Sequence, residues 1–160
     1  GHVLRHADAA LAGAAARVGA ATRDLCEVID PAALEHAVAS VREATRATYE
    51  PVRVAWQAPC SLQHGQRSST AGKVEALLRA AGCELVATRN PTLCCGSAGT
   101  YSILQPELAR ELRTRKLDSL LGDQPALIAT ANLGCLEHLR QASAVPVRHW
   151  IEIVDSILFP

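Results

Sequence analysis

The run Ala126-Leu127-Ile128-Ala129 carries no polar side chain, so a strand formed from it offers nothing to water on either face. A half-exposed strand alternates polar and apolar residues. One without that alternation belongs inside a parallel sheet covered by helices on both sides. The flanking sequence supplies the other layers. Val52, Val54 and Trp56 alternate with Arg53 and Ala55 as a first strand, Cys83, Leu85 and Ala87 alternate as a second, and a short fourth follows around 145–147. Between them the spacing turns helical. Val74, Leu77, Leu78 and Ala81 predict a helix over about 70–81 that ends at Gly82. Pro106 opens another, with Leu108, Leu112, Leu117 and Leu120 on one face and Glu107 and Glu111 paired with Arg110 and Arg115 on the exposed one, stopping near Gly122. A last helix begins about Trp150. This alternation gives an α/β fold: an open, mostly parallel four-stranded sheet, Rossmann-like and three-layered.

A helical arm precedes the sheet. Leu4, Leu11, Val18 and Leu25 recur every seven positions with Ala7, Ala14, Ala21 and Val28 between them. That predicts one long amphipathic helix through the first 29 residues, its seam packed within the molecule rather than against a second chain. Asp30-Pro31 is a cap followed by a first-turn proline, opening a helix that runs through Leu34, Val38 and Val41 toward Tyr49. The chain thus divides into an arm or linker at 1–50 and an α/β domain at 51–160.

Charge narrows the partners. Sixteen Lys and Arg balance sixteen Asp and Glu, which excludes a nucleic acid as the main partner. No stretch approaches the roughly 18 apolar residues that span a bilayer, and no charged-then-apolar leader is read. The absence of methionine makes a piece of a longer polypeptide the expectation.

Six cysteines are many for an intracellular enzyme and few for a disulfide scaffold. Cys94 and Cys95 are adjacent, which suits two independent structural disulfides poorly and metal clusters or redox thiols well. Open α/β sheets bind ligands beyond the carboxyl ends of their strands. Cys60 follows the first strand, Cys94 and Cys95 the second, and Cys135 with His138 the third, so five candidate donors converge on one edge. Thiolates suit zinc or iron-sulfur clusters, and His138 can face the same way as Cys135 from the first turn of a helix. Five donors exceed the four of a tetrahedral structural zinc site, which favours several metal atoms. Gly96 is expected to let the backbone approach a cluster. Cys26 and Cys83 read as packed core, His64, four residues after Cys60, as either a support for the site's ligands or a solvated loop residue, His149 as structural or at a subunit contact, and His2, His6 and His36 as helix surface.

These residues are similar to the cysteine-rich CCG domain known from heterodisulfide reductase B subunits and from succinate, lactate and glycolate oxidoreductase subunits. The stretches Pro59-Cys60-Ser61-Leu62-Gln63-His64-Gly65-Gln66, Leu93-Cys94-Cys95-Gly96-Ser97-Ala98-Gly99-Thr100-Tyr101, Thr130-Ala131-Asn132-Leu133-Gly134-Cys135 and Val147-Arg148-His149-Trp150-Ile151-Glu152 closely resemble the C-terminal repeat of the glycolate oxidase iron-sulfur subunits. The resemblance spans roughly 52–155. It implies the last domain of an electron-transfer subunit, not itself catalytic, holding a [4Fe-4S] cluster, cubane or noncubane. Its implied partners are the flavin-containing subunits that oxidise glycolate to glyoxylate and the rest of its own iron-sulfur subunit, which in that family carries two ferredoxin-type motifs and an earlier CCG repeat. The implied location is cytoplasmic, at the inner face of the cell membrane, with peripheral association through the complex. The general motif ends in C-x-x-C, whereas this chain has His138 last, a change the glycolate oxidase branch shares. An imidazole in place of a thiolate makes a cluster less negative and raises its potential, as in Rieske centres.

The residues leave two other readings open. In one, Cys60, one of the adjacent pair, Cys135 and His138 hold a single zinc ion in a structural or interaction module. In the other, Cys94 and Cys95 perform thiol-disulfide chemistry with Cys60 as the resolving thiol.

Overall fold

The computed structural model describes residues 9–46, 50–65 and 72–160. Leu4, Ala7, His2, His6, Tyr49, Gln66 and the expected start of the helix at 70 lie outside them. The elements run α1 (Ala9–Ala21), α2 (Leu25–Val28), α3 (Pro31–Thr45), β1 (Arg53–Gln57), a π-helical turn (Ser61–Gly65), α4 (Lys73–Ala80), β2 (Glu84–Leu85), α5 (Tyr101–Leu104), α6 (Pro106–Leu121), β3 (Leu127–Thr130), α7 (Leu133–Arg140), β4 (Val147–His149) and α8 (Trp150–Leu158).

All four strands are parallel, in the order β2-β1-β3-β4. The chain steps outward from β1 to β2, then crosses back past β1 to β3. Right-handed crossovers taken in opposite directions put their helices on opposite faces, and the strands alternate to match. Val54, Trp56 and Ala129 pack with Cys26 of α2, Leu34 and Val38 of α3, Leu77 and Leu78 of α4 and Trp150 and Ile153 of α8. Ala55 and Ile128 pack the other way, with Leu117 and Leu120 of α6 and Leu136 and Leu139 of α7. Both faces of β3 are therefore covered, as its apolar run requires, and the three-layer α/β fold is the one expected.

The arm differs from its expectation. The long helix breaks after Ala21, because Asp24 accepts from the Cys26 amide and Glu27 reaches back to the Asp24 amide, a reciprocal cap that starts a new helix. The seam is not packed either: Leu11, Val18, Leu25 and Val28 are all exposed. Asp30 caps α3 as its sequence indicates, its carboxylate accepting from the Ala33 amide.

Two strands are displaced from their expected bounds, each for a local reason. β2 stops at Leu85 because the following chain leaves β1 for α6, where the Arg89 amide donates to the Ser119 carbonyl and the Asn90 amide to the Ser119 hydroxyl. β4 begins only at Val147, since the Ser143 hydroxyl bonds both the carbonyl and the amide of Val145 and holds that residue in a turn. On α6 the buried side chains are Ala109, Lys116, Leu117, Ser119 and Leu120, while Leu108 is exposed. The Glu111–Arg115 ion pair forms on the outer face as expected.

Candidate metal centre

The strand order reverses between β1 and β3, so the loops leaving these two strands part and open a crevice at their carboxyl ends. The two strands are tied just below it: the Thr130 hydroxyl donates to Gln57 Oε1, and Gln57 Nε2 donates to the Ala58 carbonyl. Three loops bring cysteines to this crevice. After β1, the Leu62 and Gln63 amides donate to the Pro59 carbonyl and buried Leu62 anchors the π-helical turn, leaving Cys60 exposed at its start. After β3, Asn132 caps α7 by accepting from the Cys135 amide at 3.1 Å, which fixes Cys135 in the first turn, buried. After β2, the longer loop carries Cys94, half-buried, and Cys95, buried.

Gly96 explains how that longer loop sits. Its φ is +87°, and a Cβ built there falls 2.4 Å from the Ala109 carbonyl oxygen and 3.1 Å from Leu112 Cβ of α6. The close approach that demands glycine is thus to helix α6, where a cluster had been expected. The Gly96 amide turns back to donate to Cys94 Sγ at 3.3 Å.

Cys60, Cys94, Cys95 and Cys135 share one cavity of about 520 Å³ with Ser97 and Asn132. Cys95 and Cys135 are in direct contact, Sγ to Sγ 2.8 Å. That contact, with help from the Ser97 amide and from Lys116, holds Cys95 below the ordinary thiol range against the cost of its burial. The same contact and burial push Cys135 far up. Burial and the neighbouring Cys94 and Cys95 raise Cys60 as well. Among the described residues, no three Cys, His, Asp or Glu side chains form a ready-made site around a single ion.

The structure does not bring His138 into this cavity. Its Nε2 lies 3.2 Å from the Ala109 carbonyl oxygen, and it lines a separate cleft with Arg110, Arg113 and Gln141. Three residues along a helix are about 60° apart around its axis. Cys135 therefore faces the crevice while His138, a turn further on, faces α6. Cys26 and Cys83 lie in the core on the opposite side of the sheet. His64 and His36 are exposed. His149 caps α8, its Nδ1 accepting from the Ile151 amide.

Lys116 escaped the sequence reading. It is fully buried, and Nζ donates to the carbonyls of Asn90 at 3.4 Å and Pro91 at 2.9 Å, pinning the loop that leads to Cys94. The available signal was its spacing, seven residues after buried Ala109 and one turn before Leu120.

A family model described as a cysteine-rich domain, CCG, matches residues 54–140. The chain is 46% identical over 106 residues to the glycolate oxidase iron-sulfur subunit of Escherichia coli (strain K12), covering 66% of this chain and 26% of that protein. It is 30% identical over 90 residues to the probable glycolate oxidase iron-sulfur subunit of Bacillus subtilis (strain 168), covering 56% of this chain and 20% of that one. Lactate utilization protein A of Shouchella clausii (strain KSM-K16) is 26% identical over 80 residues, 47% of this chain and 34% of that protein. The chain spans about a quarter or less of the first two relatives.

Proposed function

Because the chain belongs to the CCG family of cysteine-rich domains, we propose that it is an iron-sulfur electron-transfer domain, the C-terminal part of a glycolate oxidase iron-sulfur subunit. The observation that carries this reading is the meeting of four thiols from three strand ends at one cavity. Thiolates are the ligands of iron-sulfur clusters, and four complete a [4Fe-4S] set. These four surround a space rather than a point, which suits a body larger than one ion. We assign Cys60, Cys94, Cys95 and Cys135 as ligands and leave His138 outside the set, since its ring is engaged with Ala109.

A cluster in this place supplies one-electron uptake and release. The chain's own residues hold it at the sheet edge, partly shielded from water, and carry no substrate chemistry themselves. The glycolate oxidase names of two relatives supply the rest of the proposal. Electrons come from a flavin subunit that oxidises glycolate to glyoxylate, and the remainder of the iron-sulfur subunit joins the two. No described helix is long and apolar enough to cross a membrane; we place the complex in the cytoplasm, peripheral to the inner membrane face.

The test is the iron, acid-labile sulfide and zinc content of protein purified without oxygen. Iron and sulfide are expected in near-equal amounts, several atoms per chain, lost in Cys94→Ser and Cys135→Ser and kept in Cys26→Ser and Cys83→Ser. One zinc without sulfide selects the structural module instead. The Cys95–Cys135 contact favours one second reading, a dithiol that closes to a disulfide with release of two electrons and two protons. Metal-free protein that loses two thiols on mild oxidation selects it.

A further inference from the structure

Lys116 is a charge with no carboxylate. It lies wholly inside the protein on α6, next to Leu117 and one turn before Leu120, both of which pack with Cys95 and Cys135. Among the described residues no Asp or Glu stands within ion-pair distance of Nζ. Two of its three N–H donors reach only the carbonyl dipoles of Asn90 and Pro91. An ammonium taken out of water without an anion is costly, and proteins keep one only where something negative repays it or where it has shed its proton. Burial pushes Lys116 down from the ordinary lysine range, while Cys95, Cys135, Cys60 and Cys94 all pull it back up. The geometry ties it to the same site: Asn90 and Pro91 lead into the loop that carries Cys94 and Cys95, and Leu117 beside it on α6 packs with Cys95 and Cys135. If its task were only to pin the loop, a neutral donor would serve.

We propose that the Lys116 ammonium is the built-in counter-charge of the four-cysteine site, and that it raises the reduction potential of whatever cluster those cysteines hold. The proposal rests on the iron-sulfur reading above and deepens it. Four thiolates make an anionic site, and each electron accepted adds one negative charge. A fixed positive charge in the same low-dielectric layer stabilises the reduced form more than the oxidised one. Lys116 acts through the cluster rather than by touching a substrate, so it is a positioning residue. The hydrogen bonds to Asn90 and Pro91 keep the charge in register with the cysteine loop.

The experiment is a redox titration, followed by electron paramagnetic resonance, of the full polypeptide containing this chain, loaded without oxygen, as parent, Lys116→Gln, Lys116→Met and Lys116→Arg. Glutamine keeps a donor for the carbonyls and removes the charge; methionine removes both; arginine keeps the charge. The neutral variants are expected to hold the parent's iron and sulfide, with the equilibrium constant for reduction at least tenfold smaller, a 59 mV lower potential for a one-electron couple. Lys116→Arg is expected to stay within threefold of the parent. Loss of the cluster from both neutral variants but not from Lys116→Arg also supports the proposal, because charge is then what the site requires. Neutral variants that load fully at the parent's potential overturn it. So does loss of the cluster from all three variants, since the site then selects the shape of lysine. A parent that binds neither iron nor sulfide overturns the underlying reading and this inference with it.

Discussion

Replacing Gly96 with alanine tests how the cysteine loop is seated. Two separate costs follow from the geometry. The first is conformational: φ is +87°, and a residue with a Cβ pays about 1–2 kcal/mol to enter the left-handed region. The second is steric. The new methyl carbon falls 2.4 Å from the Ala109 carbonyl oxygen, and that oxygen belongs to a helix backbone which cannot swing aside as a flexible side chain can. Forcing one carbon into a packed site typically costs about 1–3 kcal/mol. Together these give about 2–5 kcal/mol, a melting-temperature drop of roughly 4–20 °C for a chain of this size. Gly99→Ala is the control, because Gly99 also has a positive φ, +60°, with nothing within 4 Å of its added Cβ. It pays the first cost alone. Thermal unfolding of both variants, with the parent, separates the terms. If Gly96→Ala melts within 2 °C of Gly99→Ala, the tight seating of the loop against α6 is wrong.

Thr130→Val keeps the shape of the side chain but leaves buried Gln57 Oε1 without its donor, so a loss of about 1–3 kcal/mol is expected in denaturant unfolding. Pairing it with Gln57→Leu should cost less than the two single losses combined, and strict additivity refutes the coupling. His138→Ala should leave iron and sulfide content unchanged while costing about 1 kcal/mol through its lost bond to Ala109; loss of iron makes His138 a ligand after all. In metal-free protein at pH 8, alkylation mapped by mass spectrometry should spare Cys26 and Cys83, whose burial raises them to about 12 and about 11, and should reach Cys60, the exposed cysteine of the site. The same shifts set a pH limit. Both thiols are raised on folding from an ordinary value of 9.0, so their stabilisation is fully present below pH 9 and fades as pH climbs through 11 and 12. A melting temperature flat from pH 9 to 11.5 contradicts it.

What could be read from sequence were the features fixed by near neighbours or by strand direction. Asp30-Pro31 announces α3 because a cap and its proline act within one turn. The convergence of Cys60, Cys94, Cys95 and Cys135 follows from three parallel strands ending at one edge. What stayed hidden depends on angle or distant partners. His138 was expected beside Cys135, yet the rotation of the helix carries it to α6. Lys116 looks like any surface lysine until the carbonyls of Asn90 and Pro91, some 25 positions earlier, close over it. The seven-residue repeat of the arm outweighed Asp24 and Glu27, whose spacing already spelled a helix start.

Cys60 and Cys135 lie 75 positions apart, yet they come from neighbouring strands and face one cavity. Any group bound to both is a cross-link in the topological sense. It closes a loop of that length in the unfolded chain, and such a closure is worth about 4 kcal/mol in lost disorder. Whatever occupies the crevice therefore also fastens β1 to β3. If the occupant is the proposed cluster, its destruction by oxygen would remove an electron carrier and unfasten the centre of the sheet in the same event, so that damage to the site becomes damage to the fold.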